Sequence, residues 1–238
     1  MKNAVRKLVQ AVGYDVRKYR PYDDSFRRLQ VSLQRREVTL ILDVGANIGQ
    51  FARTIRRVGY RGRIVSFEPL SDAHAKLLAA ARHDPLWTVA SRCALGSRPG
   101  KVQINIAANS QSSSILKMLE RHVSGDPKSA YIGGESVEMM TLDSFLAGER
   151  DLAKSAIALK IDTQGYEAEV LAGLHRWSDC VRVIVIEMSL AALYEGEATF
   201  LDLYRAIQDR GYRCISIERG FTDPRTYEVL QVDAIFER

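Results

Sequence analysis

The sequence has 238 residues, 46% of them hydrophobic and 26% charged, with a net charge of +5. That length buries a substantial core in one domain with additions, and the composition excludes a disordered chain. No run approaches the ~18 consecutive apolar residues of a membrane span, the charged start MKNAVRKLVQAVGYDVRKYR is not a secretory signal, and the widely spaced Cys93, Cys180 and Cys214 offer no CxxC pair, which fits a reducing, cytoplasmic setting.

The charge is uneven. Residues 1–36 carry a net +7 and the rest of the chain −2. Within this arm Ala4, Val5, Leu8, Val9 and Val12 share one helical face, with Lys2, Arg6 and Lys7 off it. Such a helix either docks on the core with its basic side solvated or forms a surface that touches anionic lipid at the inner membrane face or caps an active site; docking is the simpler reading. A second helix is predicted over 25–36. No basic and aromatic stripe marks a nucleic-acid groove.

From residue 38 the texture changes. A buried strand over 38–44, VTLILDV, ends at a glycine loop, and a helix follows over 48–58. A strand over 63–67 leads to a helix over 72–82, with Ser71 as its N-cap, and then to a short strand over 87–91. Strand and helix alternating in short units imply βαβ crossovers and a parallel sheet. Strands over 101–107 and 136–141 come next. They are separated by a polar, serine-rich insertion at about 109–135, long enough for a functional loop or an acceptor-site lid, with a short helix predicted over 116–122. Alternation resumes with a strand over 157–161, a helix over 167–174, an apolar strand over 181–187 and a helix over 200–210 stopped by Gly211. The last strands, 214–218 and 228–236, are joined by a segment too short for a helical crossover, so they pair antiparallel. The expected architecture is a doubly wound, mostly parallel α/β fold over 38–238 preceded by a helical arm over 1–37.

The segment Asp43-Val44-Gly45-Ala46-Asn47-Ile48-Gly49 sits where an open α/β sheet binds its ligand. A dinucleotide site sets pyrophosphate on backbone N–H groups through GxGxxG. Here the spacing is GxxxG, and Asp43 precedes it. A carboxylate suits the ammonium group of S-adenosyl-L-methionine better than a pyrophosphate. Glu68 ends the second strand about twenty residues after the loop, where a carboxylate accepts ribose hydroxyls in either kind of site. An NAD-dependent oxidoreductase is therefore the alternative from a different class.

The segments ILDVGANIGQFA, VSFEP, CALG and LKIDTQGYEAEVLAG, in this order, resemble the FkbM family of S-adenosyl-L-methionine-dependent O-methyltransferases over 38–238. The resemblance implies a seven-stranded Rossmann-like sheet of the class I methyltransferase kind with an antiparallel C-terminal strand. It implies that Asp43, Gly45, Asn47 and Gly49 surround the methionine end, that Glu68 holds the ribose, that Pro69 and Leu70 lie beside the adenosine, and that Ala94 lies near the adenine. Many relatives have Glu where Gln164 stands, which weakens any role at that position.

Methyl transfer displaces a good sulfonium leaving group, so the protein's task is to align an acceptor and take its proton. Asp162 and Glu187 end consecutive strands. They suit a base and an orienter, or a Mg²⁺ site completed by water; the metal-free arrangement is preferred and no metal ligand is assigned. The competing structural readings make Asp162 a helix cap and Glu187 an ordinary strand-end carboxylate. His122, in the insertion, is a third candidate base, and Ser112, Ser113 and Ser114 are candidate pocket-lining residues. The expected reaction is O-methylation of a sugar hydroxyl on a small-molecule or glycolipid acceptor, with a polyketide-type metabolite as the alternative acceptor. Oligomeric state is left open.

Overall fold

The computed structural model describes residues 7, 9–14, 18, 20–149, 151–152 and 155–238. Strands run in chain order as β1 (Leu40–Val44), β2 (Arg63–Phe67), β3 (Trp87–Val89), β4 (Ala94–Leu95), β5 (Gly100–Ala107), β6 (Tyr131–Met140), β7 (Ile157–Ile161), β8 (Val181–Ser189), β9 (Arg213–Arg219) and β10 (Gln231–Glu237). The main sheet has seven strands in the order β3-β2-β1-β7-β8-β10-β9. β10 runs antiparallel to both of its neighbours, and β1, β2, β3, β7 and β8 pair parallel. Strand order reverses between β1 and β7, so the crevice beyond their C-terminal ends is the topological switch point, the usual ligand position in such a sheet.

The helices are α1 (Ser25–Arg35), α2 (Gln50–Arg57), α3 (Ser71–Ala81), α4 (Glu120–Gly125), α5 (Leu142–Gly148), α6 (Glu167–Ala172) and α7 (Phe200–Gln208). Strand alternation assigns each face a layer. Leu40, Leu42, Val44, Leu159, Ile161, Ile184 and Ile186 pack with Leu142, Leu146, Val170, Leu203 and Ile207 of α5, α6 and α7. Ile41, Ile64, Ala158, Val183 and Ile235 pack on the other face with Leu29, Leu33, Ala52, Ile55 and Leu77 of α1, α2 and α3. Helices on both faces explain why β1 and β7 read as continuous apolar runs.

α1 is fixed to the sheet by a buried acid. Glu237, at the end of β10, accepts from Ser32 Oγ at 2.8 Å, Arg35 Nη2 at 2.6 Å and Arg36 Nη2 at 3.2 Å, and from Arg213. Burial opposes its charge, but these donors outweigh burial and hold the carboxyl at about 2. Asp24 caps the helix through Arg27 N. Of the arm's predicted apolar face, Val9 is half-buried and Val12 is 70% exposed, while Ala4, Val5 and Leu8 lie outside the described residues.

The middle of the chain departs from expectation. β5 and β6 pair antiparallel and β4 joins β6, forming a separate three-stranded sheet. β6 begins at Tyr131, so the last part of the predicted insertion is strand. The short helix starts at Glu120 rather than at 116. Asn105 Nδ2 donates to the carbonyls of Ser114 and Leu116, Asn105 bridges Ser114 and Met118 bridges Tyr194, which keeps this stretch out of the helix. Ser71 is the first residue of α3, and Leu70 occupies the cap position without a side-chain bond.

Candidate active site

A cleft of about 520 Å³ opens at the switch point. After β1 the backbone passes through the left-handed region at Gly45 (φ +73°), Asn47 (φ +47°) and Gly49 (φ +85°). A Cβ on Gly45 would sit 1.8 Å from the backbone oxygen of Asp162, so only glycine lets β1's loop meet the end of β7. A Cβ on Gly49 would meet the Trp87 ring at 2.6 Å. Gly49 is thus a packing residue outside the cleft lining, whereas Gly45 and Asn47 line it.

Glu68 straps the loop to β2. Its Oε2 accepts from Asn47 N at 2.7 Å and its Oε1 from Leu70 N at 2.9 Å. The side chain is 5% exposed, and burial pushes the carboxyl up to about 7 although both N–H groups favour its charge. Each oxygen keeps a lone-pair site beyond its one N–H donor. Pro69, Leu70, Ala94 and Asp162 line the same cleft, so these four join Gly45, Asn47 and Glu68 there.

Asp43 does not. It is fully buried beneath the loop, accepts from Ser66 Oγ at 3.0 Å and lies 3.3 Å from Lys160 Nζ. Ser66 and Lys160 are its register partners on the two flanking strands, so all three side chains share the α2 face of the sheet. Burial raises the Asp43 carboxyl, and Lys160 works against that rise. Lys160 is the residue the sequence reading passed over. Its Nζ lines the cleft, donates to Gly45 O at 3.0 Å and lies 3.5 Å from Asp162 Oδ2. Burial would lower its pKa, but Asp162 and Asp43 reverse that and keep the ammonium charged. The available signal was a lysine inside the apolar strand IALKI, two residues before Asp162.

A row of carboxylates crosses the C-terminal end of the sheet. Asp233 is the register partner of Glu187 on β8 and of Glu218 on β9, and Asp162 follows β7 beside β8. Gln164, itself at φ +56°, bridges the first pair: its Nε2 donates to Asp162 Oδ1 at 2.9 Å and to Glu187 Oε2 at 2.7 Å. Its Oε1 accepts from Tyr194 Oη at 2.8 Å. Gln231 Nε2 adds a second amide to Glu187 Oε2 at 2.8 Å. Burial first, and then Asp162 and Asp233, raise the Glu187 carboxyl well above its ordinary range. Asp233 keeps solvent exposure, yet the protein packed around it and the charge of Asp162 raise its carboxyl to about 6. Asp162 is not the helix cap: Tyr166 holds the cap position without a side-chain bond, and Glu167, in the first turn, reaches back to accept from Thr163 N at 2.7 Å and Gly165 N at 3.0 Å in the preceding loop.

The family model for the methyltransferase FkbM domain matches residues 43–214. This chain belongs to the FkbM methyltransferase family. The chain is also 28% identical over 174 residues to the 2-O-methyltransferase NoeI of Sinorhizobium fredii (strain NBRC 101917 / NGR234), covering 70% of each protein. Among solved structures, Aeropyrum pernix fibrillarin with natively bound S-adenosyl-L-methionine aligns at a TM-score of 0.45 and 13% identity, over 83% of this chain and 66% of that one. A methyltransferase from Aquifex aeolicus aligns at 0.41 and 10%, over 92% and 98%.

The oxidoreductase alternative falls with the family match. The donor set of this FkbM methyltransferase fits S-adenosyl-L-methionine: two free lone-pair sites on Glu68 for a ribose diol, Asp162 and Lys160 for an ammonium and a carboxylate, and Leu70 and Ala94 as an apolar wall. His122 does not reach the cleft. It is 3% exposed, packed edge-on to Tyr194 at 5.2 Å and tilted to Phe221 at 5.1 Å, and burial pushes its ring down to about 4. Ser113 and Ser114 line the cleft, and Ser114 Oγ holds Gln164 O at 2.6 Å, while Ser112 is buried away from it. Among the described residues no cluster of three His, Cys, Asp or Glu side chains is arranged to hold a metal ion, and no helix is long and apolar enough to cross a membrane.

Proposed function

We propose that this methyltransferase moves a methyl group onto a sugar hydroxyl, with Glu187 as the proton acceptor and Asp162 as the residue that holds the methionine end in line. The observation that carries this reading is the Gln164 amide, which ties the two carboxylates into one unit at the cleft. S-adenosyl-L-methionine supplies a methyl group on a sulfonium sulfur. With it bound, Glu187 would take the proton of the acceptor hydroxyl as the oxygen accepts that methyl group. A carboxylate with a raised pKa is the stronger base, and its two amide donors leave Oε1 for the hydroxyl. Lys160 Nζ lies 3.5 Å from Asp162 Oδ2 and fixes that carboxylate at the cleft, where it can meet an ammonium. The likeness to a 2-O-methyltransferase supports oxygen as the acceptor atom.

A glycolipid acceptor, met from the cytoplasmic side of a membrane, is supported by the basic N-terminal stretch and by the exposed Val12, Tyr14 and Tyr22 at its end. The test is calorimetric titration with S-adenosylhomocysteine, NAD in parallel, followed by methyl transfer to deoxysugar glycolipids in anionic vesicles. Binding of the homocysteine product alone and label in the sugar are expected. Label appearing only in phenolic acceptors would sink the sugar reading.

A further inference from the structure

The cleft has two ends, and the family match divides them. Residues 43–214 supply the glycine loop, Glu68, Ala94, Lys160 and Asp162. The far end is walled mainly by chain outside that match, Phe26 and Leu29 from α1, Glu218 from β9, and Asp233 and Ile235 from β10, joined by Phe51 and Glu187 from inside it. What the family has in common is methyl transfer, so the segment it shares is suited to the methyl donor. The segments outside it are free to differ with the acceptor.

This end has a definite chemistry. Phe26 and Phe51 form a tilted aromatic pair with centroids 5.8 Å apart, beside Leu29 and Ile235. Facing them are Glu187, Asp233 and Glu218, neighbours in one row across the sheet. Glu218 is neutralised by Arg28 at 2.9 Å. Among the described residues, Glu187 accepts hydrogen bonds only from neutral amides, both on one oxygen. Asp233 has no hydrogen-bonded or ion-paired partner among the described residues, although like charges side by side on adjacent strands destabilise a sheet. Lys160 is the one cation among the described lining residues, and Asp43 and Asp162 already engage it. The α1 wall is tied to the sheet, because Glu237 of β10 accepts from Ser32 and Arg35 of α1.

We propose that this end is the acceptor subsite, that it takes an uncharged or amine-bearing polyhydroxylated ring stacked on Phe26 with hydroxyls donating to Glu187 and Asp233, and that Asp233 rejects acceptors carrying a carboxylate or phosphate beside the reacting hydroxyl. An apolar ring face against an aromatic, with hydroxyl donors against carboxylates, satisfies both sides of this chamber. An anion there would face two uncompensated acids. The inference rests on the methyl-transfer reading of the cleft given above.

The test uses full-length protein, labelled S-adenosyl-L-methionine and the matched pair p-nitrophenyl β-D-glucoside and p-nitrophenyl β-D-glucuronide, which differ at one carbon. The wild type is expected to favour the glucoside at least tenfold in kcat/KM. Asp233→Asn should narrow that ratio below threefold, and Phe26→Ala should raise the glucoside KM at least fivefold. Both variants should keep the S-adenosylhomocysteine Kd within twofold of the wild type, which shows that they fold and load. Equal use of the glucuronide by the wild type, or a ratio unmoved by Asp233→Asn, overturns the proposal. Transfer to a phenol such as p-nitrocatechol and to neither glycoside defeats the sugar reading alone. The subsite is then judged by the phenol's KM in Phe26→Ala, which must rise for the location to stand.

Discussion

Glu237 and Glu187 stand at opposite ends of the same antiparallel pair, β8 and β10, and their carboxyls move in opposite directions. Glu237 is fully buried, yet three arginines and Ser32 surround it and hold it at about 2. Glu187 is withdrawn from water, receives two neutral amides and faces Asp162 and Asp233, so its carboxyl rises. One end of the sheet uses an acid as a permanent anion that binds a helix. The other keeps an acid hungry for a proton. Withdrawal from water pushes both carboxyls up; the arginines reverse it at Glu237, and the neighbouring acids add to it at Glu187.

The comparison breaks most visibly at Glu187. Glu187→Gln should cut kcat by about 10²–10⁴-fold, the usual contribution of a positioned base, with S-adenosylhomocysteine affinity within twofold of wild type. A variant that keeps its rate would move the base to Asp162. Next comes Glu68, which shares with Glu187 a raised carboxyl and, among the described residues, no cation in hydrogen-bonding contact. Removing two charge-assisted hydrogen bonds in Glu68→Ala should weaken S-adenosylhomocysteine binding about 100-fold, equivalent to roughly 3 kcal/mol, measured by calorimetry. Only the ionised form accepts both ribose hydroxyls, so wild-type affinity should fall as pH drops below about 7, and Glu68→Gln should abolish that dependence.

At the opposite end Glu237→Gln should leave methyl transfer chemistry alone and lower stability by about 2 kcal/mol. For a chain of this size that corresponds to a drop of about 4–8 °C in Tm by differential scanning calorimetry. The smallest effect is the pH slope of stability. Glu237 has a depressed carboxyl, so its contribution is present above the ordinary glutamate range and is lost as pH falls towards about 2. Glu68 and Glu167, raised to about 7, bind more protons folded than unfolded. Their contribution is present at low pH and is lost as pH rises from the ordinary glutamate range to about 7. Thermal melts of the ligand-free protein should therefore lose stability between about pH 5 and 7, and Glu68→Gln should flatten that slope.

Much of this was legible in the sequence because it is local. The apolar runs at β1, β7 and β8, the glycine loop, Glu68 and the helix stop at Gly211 each declare themselves within a few residues. What stayed hidden depends on which strands lie side by side. Asp43 reads as a ligand group until register sets it against Ser66 and Lys160, where the sheet buries it. Asp233 has no motif around it and matters only because β10 delivers it next to Glu187. His122 has the right chemistry in the wrong place, since Tyr194 and Phe221 enclose it. α1 was read as part of a basic arm, but Ser25, Phe26 and Leu29 form a wall of the cleft.

The contact between Gly45 and the carbonyl of Asp162 reaches beyond sterics. It makes the loop after β1 and the end of β7, which carries Asp162, a single mechanical part, with no slack to absorb a change on one side alone. A lineage that gains a side chain at 45 must also re-route the chain at 162. In inheritance the two positions should therefore behave as one character, changing together or not at all.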